Sequence, residues 1–195
     1  MEAKQNAVSV SAKRRTITGI TLAALFGALI AAGTFIAIPL PFSPVPIVLQ
    51  NLFALLAGLI LGPFLGAAAV GLYLIAGIIG APVFAGASGG IARIIGPTGG
   101  FLFGYILAAF TAGLIAGRPR PGVKTPVWRI IIAALAGLLI VYVPGVIRLK
   151  FALDAGWGKA LASGFIPFII GDALKGVTAI IIAPRLRRVA ADQLG

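Results

Sequence analysis

The stretch VWRIIIAALAGLLIVYVPGVI, residues 127–147, decides the fold of this chain. It carries a single charge, on Arg129, and it matches the roughly 20 residues that an α-helix needs to cross a bilayer core of about 30 Å. Apolar runs of similar length recur along the chain. The stretch therefore predicts one transmembrane helix among several.

Composition extends this prediction to the whole chain. Of 195 residues, 60% are apolar and 10% are charged, and a water-soluble domain of this size could not cover its surface with so few charges. The length has room for about six membrane-crossing helices with short connections. The sequence therefore predicts an all-α integral membrane protein, with a single membrane domain over residues 1–195 that contains six transmembrane helices.

Prolines and glycines mark the connections between these helices. Residues 39–46 hold four prolines, which predict a stiff loop. Residues 80–96 are apolar but rich in glycine, which predicts irregular backbone that covers or lines a cavity. The predicted spans are residues 17–38, 46–61, 63–79, 97–116, 127–147 and 167–183, with a second long connection at 148–164 and polar tails at 1–16 and 184–195.

Basic residues gather in short stretches and orient the helices. The net charge is +12, which in a membrane protein serves as a topology signal facing anionic lipid rather than as a nucleic-acid surface. Eleven lie on the side of the termini: Lys4, Lys13, Arg14, Arg15, Arg118, Arg120, Lys124, Arg129, Arg185, Arg187 and Arg188. Four lie opposite: Arg93, Arg148, Lys150 and Lys159. The positive-inside rule therefore predicts a multi-pass protein with both termini in the cytoplasm.

Missing residue types narrow the possible functions. The chain has no cysteine and no histidine, so the usual ligands of transition metals and the usual thiol chemistry are absent. It has no phosphate-binding loop, and its acidic residues are Glu2, Asp154, Asp172 and Asp192. We therefore expect no enzyme activity, no metal and no cofactor, and any coupling to ATP must come from another subunit.

Asp172 and Lys175 are the most informative residues, because both lie inside the last predicted span. A spacing of three places them on one helix face, and ionisable groups inside a membrane are costly enough to indicate function. A carboxylate beside an ammonium suits a small polar ligand that has both NH groups and a carbonyl. The alternatives are a self-neutralising structural ion pair, or a lysine that extends toward the lipid headgroups.

Other polar and aromatic residues are candidates for the same pocket. Arg93, in the glycine-rich loop, would pair well with a ligand carboxylate, although contact with water or lipid phosphate is equally compatible with its position. Gln50 begins the second span with Asn51, and either side chain would face the interior or bond another helix. Tyr73 and Phe84 are candidates for the pocket wall, with anchoring at the membrane interface as the alternative for Tyr73.

A stripe of small residues runs along the first span, with Ala24, Ala28 and Ala32 at intervals of four and a parallel row at Ala23 and Gly27. Such a smooth face permits close helix approach. The pattern alone leaves two interpretations open, which are packing inside the bundle and docking of a partner protein.

The order of these segments resembles the BioY family, the biotin-binding S components of energy-coupling factor (ECF) transporters. The resemblance covers residues 17 to 184 and is carried by four motifs: PLPFSPVPIVLQ at 39–50, GAPVFAG at 80–86, GPTGG at 96–100 and GDALK at 171–175. The sequence departs from the family pattern at Asn51, where a small hydroxyl residue is more usual, and at Phe101, where tyrosine is common.

The resemblance implies an S-component-like bundle in a prokaryotic cell membrane that captures biotin from outside. It implies three partners, a membrane scaffold subunit and two cytoplasmic ATPases. Asp172 and Lys175 match the Asp-x-x-Lys pair of the family's last helix, and the segment with Ser88 and Arg93 matches its loop between helices 3 and 4. Ala24, Ala28 and Ala32 match the family's scaffold-docking pattern.

The function expected from the sequence is therefore high-affinity capture of biotin, energised by partner ATPases. An S component for another vitamin is the nearest alternative. An intramembrane enzyme acting on lipid is disfavoured, because the spans hold no second carboxylate, histidine or cysteine for acid–base or nucleophilic chemistry. A passive channel or a structural membrane subunit is the remaining alternative.

Overall fold

The computed structural model describes residues 1–194, without the side chains of residues 2–12. The side chain of Lys4, predicted to be a topology charge, therefore lies outside the described part. Helices dominate the described chain, and one short β-hairpin interrupts them. In order, the elements are α1 (Glu2–Thr34), β1 (Ala37–Leu40), β2 (Ser43–Val48), α2 (Gln50–Leu61), α3 (Pro63–Ile78), α4 (Ile91–Ile95), α5 (Gly99–Ala116), α6 (Val127–Ala152), α7 (Trp157–Gly164), a 3₁₀ turn (Ile166–Phe168) and α8 (Ile169–Leu194).

Four stretches of the described chain are long and apolar enough to cross a membrane. They are Lys13–Thr34 in α1, the whole of α5, the whole of α6, and the stretch Trp157–Leu194, which contains α7, the 3₁₀ turn and α8. The helices α2 and α3 are apolar but shorter. These are six apolar helical segments, and the predicted all-α membrane fold is confirmed.

The short helix α2 lies at the centre of the bundle, in contact with α1, α3, α5, α6 and α8. All of its residues except Phe53 are buried. Its 12 residues rise only about 18 Å, less than a bilayer core. Because other helices surround it on every side, α2 does not need to span the lipid by itself.

Glycines let the central helices touch through their backbones. A Cβ atom placed on Gly58 of α2 would lie 2.1 Å from the carbonyl oxygen of Ala109 in α5. A Cβ atom on Gly66 of α3 would lie 2.6 Å from the Cα of Gly58. Neither position has room for a side chain, so the small residues of these spans serve helix packing.

The proline-rich segment forms an antiparallel β-hairpin, so the predicted loop at 39–46 is wrong. Ala37 pairs with Val48 and Ile38 with Ile47. Prolines favour extended geometry in the residue before them, and each strand of a two-stranded ribbon has a free edge where a missing N–H is tolerated. The predicted spans 17–38 and 46–61 are therefore too long at this end, since α1 ends at Thr34 and α2 begins at Gln50.

The two long connections are also more ordered than predicted. Within residues 80–96, Phe84 and Ser88 form an isolated β-bridge, and α4 follows over Ile91–Ile95. The helix α6 continues to Ala152, past the predicted end at 147, and α7 occupies part of the predicted connection at 148–164. The predicted spans 63–79 and 97–116 agree with α3 and α5 to within two residues.

Both predicted tails contain helix. The helix α1 includes residues 13–16, and α8 continues through Pro184 to Leu194. Arg187 in this extension is 4% exposed. Its guanidinium donates to the carbonyl oxygens of Leu59, Ala116 and Gly117 and, at 3.2 Å, to the hydroxyl of Thr125. A cation at the carbonyl-rich ends of α2 and α5 stabilises those helix ends, so this arginine is structural rather than a solvent-facing topology charge.

The elements define two ends of the bundle. One end has a groove lined by Arg15 of α1, Leu61 of α2, Arg118 after α5 and Leu194 of α8. At the other end the hairpin contacts the segment before α8, where the Ser43 hydroxyl donates to the carbonyl of Ser163 at 2.6 Å. The candidate site lies toward this second end, below the hairpin.

Candidate functional site

A trough runs between strand β2, helix α5 and helix α8, and it consists of two clefts that share their walls. Both clefts are lined by Val45, Pro46, Val48, Phe101 and Tyr105. One cleft continues to Gln50, Phe84 and Arg93. The other continues to Asn51, Tyr142, Asp172 and Lys175. The trough is therefore apolar and aromatic in its middle, with polar groups of different character at its two ends.

At the α8 end, Asp172 and Lys175 form a buried ion pair, with Nζ and Oδ1 2.9 Å apart. Each residue is 7% exposed. Asp172 Oδ1 also accepts a hydrogen bond from Asn51 Nδ2 at 3.0 Å, and Asp172 Oδ2 accepts one from the Tyr142 hydroxyl. Three donors thus compensate the buried carboxylate, while Lys175 keeps two N–H groups that no described residue uses.

Gln50 organises a second buried network at the base of the trough. Its Oε1 accepts hydrogen bonds from the hydroxyls of Thr34 at 2.6 Å and Tyr73 at 2.9 Å. Its Nε2 donates to the Tyr105 hydroxyl at 3.1 Å. Both donors to Oε1 come from α1 and α3, so this network fixes the orientation of Gln50 and positions Tyr105 in the trough wall.

Two of the predicted pocket residues lie behind the wall rather than in it. Tyr73 packs against Phe84 in an edge-to-face contact, with ring centroids 5.5 Å apart, and Phe84 is the ring that reaches the trough. The Ser88 hydroxyl donates to the Ala85 carbonyl at 2.8 Å and so supports the glycine-rich loop. Gln50, Phe84, Arg93, Asp172 and Lys175 line the trough directly.

Arg93 lies at the mouth of the trough. It is exposed on α4, and it lines both the trough and an outer cleft beneath the hairpin with Pro39, Ser43 and Gly86. In the described part of the chain, Asp172 forms an ion pair with Lys175, and no described carboxylate forms one with Arg93. Its guanidinium is available to an anion that enters from this side.

Sequence reasoning missed two residues of the site, Tyr105 and Tyr142. Asn51 was expected to face the interior or to bond another helix, and its amide bonds Asp172 of α8. Neutral polar side chains and tyrosines do not stand out in hydropathy, because a membrane helix accommodates them at moderate cost. Tyr105 and Tyr142 each lie four residues after an apolar residue of the same helix, Phe101 and Leu138, and this spacing carries no signal beyond that of ordinary packing.

The alanine stripe of α1 divides into an inner and an outer row. Ala23 and Gly27 are buried, and a Cβ atom on Gly27 would lie 3.1 Å from the carbonyl oxygen of Ala69 in α3. Ala24, Ala28 and Ala32 are exposed on the surface of the bundle. The inner row accounts for the close packing of α1, and the outer row is left without a partner in the described chain.

The fold defines a class, a polytopic helical membrane protein, and its two adjoining clefts place a buried ion pair and an exposed arginine along shared walls. Residues 4–192 match the model of the BioY family. The chain therefore belongs to the BioY family.

Individual relatives agree with this membership. A probable biotin transporter BioY of Pyrococcus horikoshii is 44% identical over 168 residues, which cover 86% of this chain and 95% of the relative. The biotin transporter BioY of Thermotoga maritima is 41% identical over 171 residues, 88% of this chain and 96% of the relative. A crystal structure of the S component for biotin from an ECF-type ABC transporter superposes with a TM-score of 0.78 at 31% identity, covering 89% of this chain and 92% of that one.

Proposed function

We propose that this chain is the substrate-capturing membrane subunit of a biotin uptake system, with biotin as cargo and no resident cofactor. Family membership supports this function. The observation that carries it is the trough, whose ends differ in chemistry: a buried carboxylate–ammonium pair at Asp172 and Lys175, and an exposed guanidinium at Arg93. Biotin has the matching polarity, with a polar ureido ring at one end and a carboxylate at the other.

The ureido ring binds at the α8 end. Lys175 donates to the ring carbonyl through one of its two remaining N–H groups, and Asp172 Oδ2 accepts a ring NH. Charged partners strengthen both hydrogen bonds because the site is shielded from water. The sulfur-containing ring and the aliphatic chain of biotin lie along Val48, Phe101 and Tyr105 in the middle of the trough, where they replace water with apolar contact.

The carboxylate of biotin binds at Arg93. Arginine holds a carboxylate through two parallel N–H bonds, and Arg93 has no competing carboxylate among the described residues. Its position between the trough and the outer cleft places it on the entry path. The β-hairpin over residues 37–48 and the segment at 80–96 then cover the bound ligand from outside.

The partners of this function are a membrane scaffold subunit and two cytoplasmic ATPases. The chain has no phosphate-binding loop of its own, so the energy for transport comes from ATPase subunits bound to the scaffold. The exposed row of Ala24, Ala28 and Ala32 provides the docking face. In this role the chain works as one membrane domain and catalyses no reaction.

Equilibrium binding of biotin to the detergent-purified chain tests the function. We expect the parent protein to bind biotin. It should bind biotin methyl ester roughly 10- to 150-fold more weakly, because the ester loses a charge-assisted hydrogen bond to Arg93. In Arg93→Ala this difference should disappear, whereas Lys159→Ala, an exposed cation on α7, should retain it. A difference that disappears in Lys175→Ala instead would mean that the ligand lies reversed, and absence of biotin binding by the parent would overturn the function.

The orientation in the membrane is a separate proposal, with both termini in the cytoplasm. It rests on the excess of basic residues on the side of the termini, which is ten against four when the buried Arg187 is left out. A reporter enzyme that is active only in the cytoplasm should be active when fused after Gly195 or inserted after Gly122. The same reporter inserted after Gly86 should be inactive. The opposite pattern of activities would invert the topology and place Arg93 inside the cell.

A further inference from the structure

Asn51 holds an unpaired hydrogen-bond acceptor inside the trough. The residue is 9% exposed, and its Nδ2 donates to Asp172 Oδ1 at 3.0 Å. Its Oδ1 has no hydrogen-bond partner, the one such buried side-chain atom found among the described residues. An unsatisfied buried acceptor is unfavourable and requires an explanation. A ligand NH that binds in the cleft shared with Asp172 and Lys175 would provide one.

The orientation of the Asn51 amide follows from its neighbours. If the oxygen and nitrogen were exchanged, the amide oxygen would face the carboxylate of Asp172, and two acceptors would lie in contact without a proton between them. The Nδ2 group therefore faces Asp172, and Oδ1 is left for another donor.

A count of acceptors shows why the site needs this oxygen. Each carboxylate oxygen accepts about two hydrogen bonds. Asp172 Oδ1 already accepts from Asn51 and Lys175, and Asp172 Oδ2 already accepts from Tyr142. Asp172 therefore has room for about one further donor, whereas the ureido ring of biotin presents two NH groups, one on each side of its carbonyl.

We infer that Asn51 is a specificity-determining residue, whose Oδ1 accepts the second NH of the ligand ring. Asp172 accepts the first NH and Lys175 donates to the carbonyl between them. The inference rests on the proposed function and deepens it: the site recognises a cyclic urea as a unit of two donors around one acceptor. Rings that lack one of these NH groups are selected against.

Two biotin analogues test this inference, each a cyclic carbamate in which one ring NH is replaced by oxygen. The parent protein should bind both analogues roughly tenfold or more weakly than biotin, because each brings an acceptor against Asp172 or Asn51. Asn51→Leu should bind biotin roughly tenfold more weakly than the parent does. Asn51→Leu should bind the analogue whose ring oxygen faces residue 51 as tightly as it binds biotin. It should still bind the other analogue more weakly than biotin.

A purely structural role of Asn51 predicts a different result. If Asn51 only holds Asp172 in place, Asn51→Leu lowers the affinities for biotin and both analogues in the same proportion, which would overturn the inference while the proposed function stands. Asn51→Ala provides the same comparison if the leucine variant does not fold, as judged by thermal melting. A parent protein that does not bind biotin at all would overturn both the proposed function and the inference.

Discussion

Asp172→Ala is expected to lower biotin affinity by roughly 100-fold or more and to destabilise the protein at the same time. The loss of a charge-assisted hydrogen bond to the ligand costs about 1.5–3 kcal/mol. In addition, Lys175 is left buried without a counterion, and breaking a buried ion pair in this way costs about 3–5 kcal/mol. Titration with biotin and thermal melting in detergent measure the two effects separately.

A paired variant separates the site from the fold. Asp172→Asn combined with Lys175→Met removes both charges, which is often neutral for a buried ion pair, and the new amide still offers an oxygen to Asn51 and an N–H to the Tyr142 hydroxyl. This double variant should melt near the parent protein and still fail to bind biotin. Asp192→Ala, an exposed acidic residue on the same helix, should leave both properties unchanged. Parent-like biotin binding by the folded double variant would show that the pair is structural.

The membrane fold could be predicted from the sequence because lipid constrains it strongly. Backbone polar groups must be satisfied within each segment, so apolar runs of sufficient length become helices. The starts of α3 and α6 agree with the predicted starts at Pro63 and Val127. A central helix as short as α2 was also recognised, because proline and glycine mark its end at Gly62.

The ends of the longer helices could not be predicted in the same way, because tertiary contacts set them. Nothing in the run from 37 to 48 shows that two extended segments pair with each other, since the prolines are compatible with either a loop or a ribbon edge. Beyond Pro184, the helix continues because Arg187 binds the carbonyl groups of two other helices. Sequence order cannot reveal those contacts.

The sequence indicated the charged residues of the candidate site and some of its neutral residues, Gln50 and Phe84 among them, but not the contacts that surround Asp172. Asp172 and Lys175 stood out because ionisable residues are rare inside a span. Asn51 and Tyr142, which contact the same carboxylate, come from α2 and α6 and are far from Asp172 in sequence. Only the packing of these helices against α8 brings the amide, the hydroxyl and the carboxylate together.

The second large effect, loss of assembly with partner subunits, is expected from substitutions in the outer alanine row of α1. Ala24 and Ala28 are exposed on the bundle surface, whereas Ala23 beside them is 2% exposed and packs inside. A face of methyl groups gives a partner helix close access to the α1 backbone, and van der Waals packing at that distance drives association between membrane helices. Neither Ala24 nor Ala28 lines the trough as described, so docking and ligand binding are separable.

Ala24→Trp or Ala28→Trp is therefore expected to abolish assembly with the scaffold and ATPase subunits, and with it biotin uptake, because an indole ring holds two helices apart. Biotin binding by the isolated variant should stay within about twofold of the parent, since the outer alanine row and the trough are separate surfaces. Co-purification of the coexpressed subunits measures assembly. Leu139→Trp on α6, at a position 59% exposed, presents the same indole ring on another surface and should leave assembly intact. If assembly survives in Ala24→Trp and Ala28→Trp, the outer row is not the docking face, and the scaffold must bind another surface of the bundle.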